Sequence, residues 1–521
     1  MTMRRTGFTL LASAVWLTAL VTAASCSNFS EDCGNTGECF PDGAGSGGMS
    51  GGGSSGAGSG GVSGGGSAGT GGESGMGEAG EGGNPPTCDT DAAPSEAPCL
   101  VDERYAIFVA PSGSDESDGT RAEPLASLTQ ALELAAEQSK AVIACAGEFD
   151  EQVVISSGVR VFGGFACPDA SAPWVHEAGA KTTLAPSEPG VALEIRGVAD
   201  AVVIEDFDVA AADATEPGGS SIAAFVVDSA DVTLRRVRLS AGTGMHGADG
   251  VLVPNEYPDP AELRGRDGTA TDGGAPVECI CVDEAVSGRG GGRNGGGDPA
   301  FPPQEPPNGQ GGDAAAACNS GGGGFDGAAG SAAPIAQGAT RLGVLDEDGW
   351  APEPGSDGGD GTPGHGGGGG AGKANGGGGS GGCGGCGGKG GGAGHGGGAS
   401  IGLLVVSSSV TVEGSEIVAS DAGDGGDGAS GQEGQLGGGR GLGFGDVGRS
   451  CEGGEGGPGG SGGPGGGGAG GISAAVVFSG AAPELIDSDL SFGARGAMGS
   501  GGEPGMGDGI QGVAQEIVEF E

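Results

Sequence analysis

The sequence predicts an all-β protein in which short parallel strands stack as the rungs of a β-helix. Two observations lead there. First, four segments share one form: 191–213, 221–244, 400–423 and 472–496. Each is an apolar strand, a short polar turn, a second strand and a glycine exit. The second strand always carries two apolar residues five apart: Ile204 and Val209, Leu234 and Leu239, Val412 and Ile417, Leu485 and Leu490. Units of this size cannot bury an apolar face alone, so they must stack. Parallel stacking sets neighbours about 4.8 Å apart.

Second, the two repeats adjacent in sequence can be laid in register. At a constant offset Ile204 meets Leu234, Phe207 meets Val237 and Val209 meets Leu239. The same offset sets Glu205 against Arg235, Asp206 against Arg236 and Asp208 against Arg238. Three complementary pairs in a chain with only 21 Lys and Arg mark these segments as neighbouring rungs joined by an ion-pair ladder. An exposed pair contributes only about 0–1 kcal/mol, so the ladder selects register more than it adds stability. Asp206 and Asp208 could also serve as paired glycosidase carboxylates. The arginines already account for both, and no catalytic residue is assigned.

The chain opens with the layout of an export signal. Arg4 and Arg5 give a positive start, and Leu10 to Val21 form an apolar core too short for a spanning anchor. Ala23-Ala24-Ser25 precede Cys26, which resembles the lipobox of bacterial lipoproteins. The resemblance implies removal of 1–25, lipidation of Cys26 and attachment at the outer membrane or cell surface of a Gram-negative bacterium. Ala23 stands where that family usually has Leu, which leaves ordinary signal-peptidase cleavage as the alternative. Of 13 cysteines, Cys26 would be lipidated, leaving 13 − 1 = 12, an even set suited to disulfides in an exported chain.

Residues 26–87 read as an anchored cysteine segment, Cys33 to Cys39, and a flexible Gly/Ser linker with an end-to-end distance of roughly 35 Å. Order is expected over 88–244, as a cap followed by the first rungs. Cys88 and Cys99 bracket a loop and are expected to be bridged. Tyr105 to Val109 reads as a strand. Ser127 and Gln130 have capping-box spacing, opening a helix to about Gln138 with Leu128, Leu132 and Ala135 on one face. Strands follow at 142–146, 153–155 and 159–162. Cys145 and Cys167 lie about one rung apart and are expected to staple adjacent turns.

Residues 107–135 and 141–167 are similar to the opening of right-handed parallel β-helix proteins of the pectin-lyase-like class. The matching positions are Gly113, Asp115, Gly119, Thr120, Pro124, Gly147, Phe149, Glu151, Gly163 and Gly164. The resemblance covers these two runs alone. It implies a right-handed β-helix with an N-terminal capping helix, and it specifies fold far better than activity. Polysaccharide lyases of the class combine calcium-binding acids with a basic residue, a set not found on the repeats.

Two glycine-rich insertions, 245–399 and 424–470, interrupt the rungs at 400–423 and 471–521, and both leave after a second strand. Glycine makes up 130 of 521 residues, against a usual roughly 7%. It often recurs every third position, as from Gly453 through Gly471. That period fits a three-residue-per-turn helix. Disordered coil and a bundle of polyglycine helices both remain open. The GGX triplets resemble the glycine-rich repeats of mycobacterial surface proteins.

Cys383 and Cys386 form a CxxC. On a three-per-turn helix they would lie about 9 Å apart, too far to bridge each other. Each is therefore expected to find another partner, such as Cys318 or Cys451. A zinc site with His365 and His395 is the alternative. Cys279 and Cys281 are too close to pair together and are expected to reach elsewhere in the first insertion. Asp-Gly-Gly-Asp-Gly at 357–361 and 424–428 resembles calcium-binding glycine repeats without the full nonapeptide. Solvated acidic turns are expected there, with weak Ca2+ binding the alternative and no other cofactor.

The balance of 69 Asp and Glu against 21 Lys and Arg excludes nucleic acid as a partner. The expected partners are the membrane, through the lipid, and an extracellular polysaccharide or surface protein. The expected role is a non-catalytic scaffold, matrix component or adhesin. A carbohydrate-active β-helix enzyme and a calcium-dependent binding module are the alternatives.

Overall fold

The computed structural model describes residues 88–90, 92–167, 172–445 and 449–520. The export signal, Cys26, Cys33, Cys39 and the linker lie outside the described residues.

The chain is mostly sheet, and its strands sort into three large parallel sheets. The first holds Ala106–Val109, Ala141–Cys145, Val159–Ala166, Val202–Glu205, Val232–Arg235, Val410–Glu413 and Glu484–Ile486. The second holds Gly147–Phe149, Thr182–Leu184, Phe207–Ala210, Arg238–Ser240, Glu416–Val418 and Asp489–Ser491. The third holds Val153–Ile155, Val191–Arg196, Ser221–Val227, Ser400–Val406, Ser473–Ser479 and Ala514–Glu519. From Ala141 the chain visits first, second and third sheet in that order, again and again. Each return pairs in parallel with the strand laid down one cycle earlier. Val175–His176 is an exception, pairing antiparallel with Val159–Ala166.

One interior cluster joins all three sheets. It contains Val161, Ile204 and Leu234 from the first, Leu184, Val209 and Leu239 from the second, and Leu193, Val226 and Leu403 from the third. Alternation puts these side chains on one face of each strand. The third sheet departs from simple alternation, because both of its faces are covered. Ile222, Phe225, Ile401, Leu404 and Val477 point away from the interior and pack with Trp350, Leu342 and Phe520. This explains the unbroken apolar runs in Ser221–Val227 and Ser400–Val406, as expected for strands buried on two sides.

The helix, α1, spans Leu128–Gln138 and closes one end of the stack. Its buried residues are Leu128, Ala131, Leu132 and Ala135, facing the interior cluster. The Ser127 side chain accepts from the Gln130 N–H at 3.2 Å. The reciprocal half of a capping box is not made by Gln130. Instead Glu151, from the turn before Val153–Ile155, accepts from the Leu128 and Thr129 N–H groups at 2.6 and 3.1 Å. A carboxylate at a helix N-terminus also complements the macrodipole.

The corner between first and second sheets is a single residue in the left-handed region on four successive rungs. These are Asp206, Arg236, Gly414 and Asp487, with φ of 60°, 52°, 56° and 47°. Only one is glycine. For the others this conformation costs about 1–2 kcal/mol, and for Asp206 and Arg236 the ion pairs described next offset it.

Candidate functional site

Two built features stand out: the charged corner and the glycine-rich plate beside the third sheet. At the corner, Glu205 and Arg235 are register partners, as are Asp208 and Arg238. Glu205 is 2% exposed and receives both Arg235 and Arg236, the latter at 2.7 Å. Arg235 also reaches Glu413 on the following rung at 2.9 Å. Arg236 holds Asp206 with two bonds of 2.9 Å, and the His176 Nε2 lies 3.0 Å from the same carboxylate.

The third expected pair differs. Asp208 and Arg238 stand opposite in register, yet the Lys181 ammonium takes Asp208 at 3.1 Å and Arg238 bonds Glu416 at 2.9 Å. The guanidinium swings to the next rung because an unopposed acid lies there. The ion pairs thus run over four successive rungs, and Asp206 and Asp208 are each engaged by a cation. Burial alone would raise the Asp206 carboxyl. The hydrogen bond and charge of Arg236, with His176 added, outweigh it and hold the group below the ordinary carboxylate range. Its contribution to stability is therefore present at neutral pH and is lost as pH falls through that depressed value.

The glycine-rich insertions take the ordered alternative. Segment 453–471 shows how. The N–H groups of Gly453, Gly456, Gly459, Gly462, Gly465, Gly468 and Gly471 donate to carbonyls of segment 423–441, running antiparallel. The next set, Gly454, Gly457, Gly460, Gly463, Gly466 and Ala469, donates to segment 353–368. Carbonyls of that same set accept from Gly382, Gly385, Gly388, Gly391, Gly394 and Gly397 in a parallel segment. These bonds measure 2.8–3.1 Å. With three residues per turn, each set of every third residue points at a different neighbour.

This explains the GGX pattern. Two positions of each triplet meet another backbone. A Cβ at Gly456 would sit 1.7 Å from the Cys383 carbonyl oxygen, and one at Gly457 would sit 2.0 Å from that of Ala328. The third position carries Glu455, Pro458, Ser461 and Pro464, whose carbonyls accept from Gly327, Gly330, Ala333 and Ala336. Pro458 and Pro464 are tolerated because this set makes no backbone donation to the carbonyls of that segment; Glu455, which has an N–H, donates it to the Asp326 carboxylate at 2.7 Å. A shorter excursion after Asp489–Ser491 joins the plate as well. Gly499 donates to Gly468, and Gly502 to Gly465.

Aspartates tie the rods at their rims, a role the sequence reading missed. Asp421, Asp424 and Asp427 accept from the Ala494, Ala497 and Ser500 N–H groups at 2.7, 2.7 and 2.6 Å. Asp357 accepts from Ala393 and Asp360 from Gly390. The Gly390 N–H, then Lys389, hold the Asp360 carboxyl below its usual range. The signal was available: these acids fall in steps of three, in phase with the glycines. Both Asp-Gly-Gly-Asp-Gly motifs are thus backbone clamps. Among the described residues no group of three or more His, Cys, Asp or Glu could hold a metal ion.

Disulfides join Cys88 to Cys99 and Cys145 to Cys167. Cys318 and Cys451, expected as partners of the CxxC, bridge each other instead. Cys383 pairs with Cys279 and Cys386 with Cys281, at Cα separations of 5.3 and 4.9 Å. Two residues of extended chain span about 7 Å, and three residues of glycine helix span about 9 Å. The two pairs can therefore bridge side by side. All four sulfurs are consumed, which removes the zinc alternative with His365 and His395.

Comparison of the chain with protein-family models, with curated proteins and with solved structures finds no match.

Proposed function

We propose that this chain is a non-catalytic surface lipoprotein that acts as a scaffold, matrix component or adhesin. In this reading the three sheets close into one right-handed parallel β-helix. The cyclic order of the sheets and their shared interior cluster support that closure. Cys26 carries the lipid, and the Gly/Ser linker holds the rod and plate away from the membrane. The observation that carries the functional reading is the plate itself. Its backbone groups bond to one another along whole rods, which makes it a broad, rigid surface rather than a cleft.

The test is fractionation of the producing cells with the full chain and with Cys26→Ala. The unaltered chain is expected in the membrane fraction, carrying acyl chains on its N-terminal peptide by mass spectrometry. Cys26→Ala is expected in the soluble exported fraction. Equal sedimentation of both with membranes would contradict anchoring through Cys26. Turnover of a polysaccharide by the purified chain would contradict the non-catalytic role and favour the carbohydrate-active alternative.

A further inference from the structure

The two ends of the strand stack differ. The helix Leu128–Gln138 covers one end. At the other, Glu484–Ile486, Asp489–Ser491 and Ala514–Glu519 are the last strands of the three sheets. No described strand pairs with their outer edges. Leu485 and Leu490 only partly enter the interior cluster, while Ile486, Phe492 and Ile517 are 37%, 43% and 43% exposed.

The corner shows what the next rung would supply. There the N–H of Asp206 donates to the Arg235 carbonyl, Arg236 to Glu413 and Gly414 to Ile486. The Asp487 N–H is next in this series and has no acceptor among the described residues. Charge tells the same story. Asp208, Arg238, Glu416 and Asp489 form one column across the rungs. Its sign alternates until Asp489 follows Glu416 as a second acid. Asp206, Arg236, Gly414 and Asp487 form the adjacent column, which again ends on an acid. Neither Asp487 nor Asp489 forms an ion pair among the described residues, whereas Asp206, Asp208 and Glu416 all do.

We propose that this end is a docking edge for an extended, arginine-bearing segment of another protein, added as one more parallel rung. Main-chain bonds to the open edge would give affinity, and the acids at Asp487 and Asp489 would set the register. A second copy is a poor occupant. The same end of a copy presents acid to acid, and its opposite end is closed by the helix. Acids on an edge also suppress unwanted pairing, so the edge selects a cationic strand. This inference rests on the edge alone and is independent of anchoring through Cys26.

The chain contains a suitable probe. Its own rung 232–240, Val-Thr-Leu-Arg-Arg-Val-Arg-Leu-Ser, continues the register with Arg236 over Asp487 and Arg238 over Asp489. Binding of that labelled peptide to the full chain is measured by fluorescence anisotropy. Two controls are a scrambled peptide of equal charge and one with all three arginines changed to glutamate. The native peptide is expected to bind at least about tenfold more tightly than either. Asp487→Lys with Asp489→Lys is expected to remove that advantage and to favour the glutamate peptide. Equal binding of native and scrambled peptides would overturn the proposal, since it means attraction to the acidic chain in general. Unchanged binding to the double-lysine variant would overturn it too. So would a concentration-dependent dimer that this variant abolishes, because the occupant would then be a second copy.

Discussion

Replacing Gly456 by alanine is expected to destabilise the glycine plate by about 3 kcal/mol or more, a cost at the upper end for overpacking. The added methyl would lie 1.7 Å from the Cys383 carbonyl oxygen. No side-chain rotamer can relieve that clash, because the neighbour is backbone of another rod. Gly456 also donates to the Gly438 carbonyl at 2.9 Å, so moving the rod breaks its bonds in series. Ser461→Ala, on the third position of a triplet, is expected to change stability by no more than about 0.5 kcal/mol. Chemical denaturation followed by proteolysis of the plate checks both. In disordered coil the two substitutions would act alike, and alanine would be harmless at either place.

Loss of the paired bridges is the second large effect. Cys279→Ser with Cys383→Ser opens a loop of sequence separation 104, and Cys281→Ser with Cys386→Ser one of 105. Removing both is expected to cost about 2–5 kcal/mol, less than twice the single loss because the loops are nearly the same. The consequence is greater than the magnitude suggests. A GGX rod that slides by three residues presents the same pattern to its neighbours. Backbone bonding alone therefore does not distinguish such registers. The bridges at Cys383 and Cys386 break that degeneracy, which the aspartate clamps, themselves spaced by three, share. The four-serine variant is expected to be cleaved by protease within 245–399 under conditions where the unaltered chain is intact. Equal resistance would show that the register has another source.

The same degeneracy explains how much could be read beforehand. Strand repeats are legible because alternation and charge are local: Glu205 opposite Arg235 follows from sequence order and a constant offset. The helix cap at Ser127 is legible for the same reason. The reach of Arg238 to Glu416 is not, because a separation of 178 residues hides the neighbouring rung behind an insertion. The partners of Cys383 and Cys386 were obscured likewise, since spacing excludes one pairing and leaves many. The double burial of Phe225 and Leu404 was visible as an apolar run, but what covers it was not.

The central claim is that the glycine-rich segments are ordered rods joined by backbone hydrogen bonds. Residue-resolved amide hydrogen exchange on the full chain tests it most directly. The account predicts slow exchange at Gly456, Gly457, Gly459 and Gly460, whose N–H groups donate to neighbouring rods. It predicts faster exchange at Ser461, for which no acceptor exists among the described residues, so a single fast amide should stand between protected neighbours. Uniform exchange at the rate of an unstructured chain across 453–471 would contradict it.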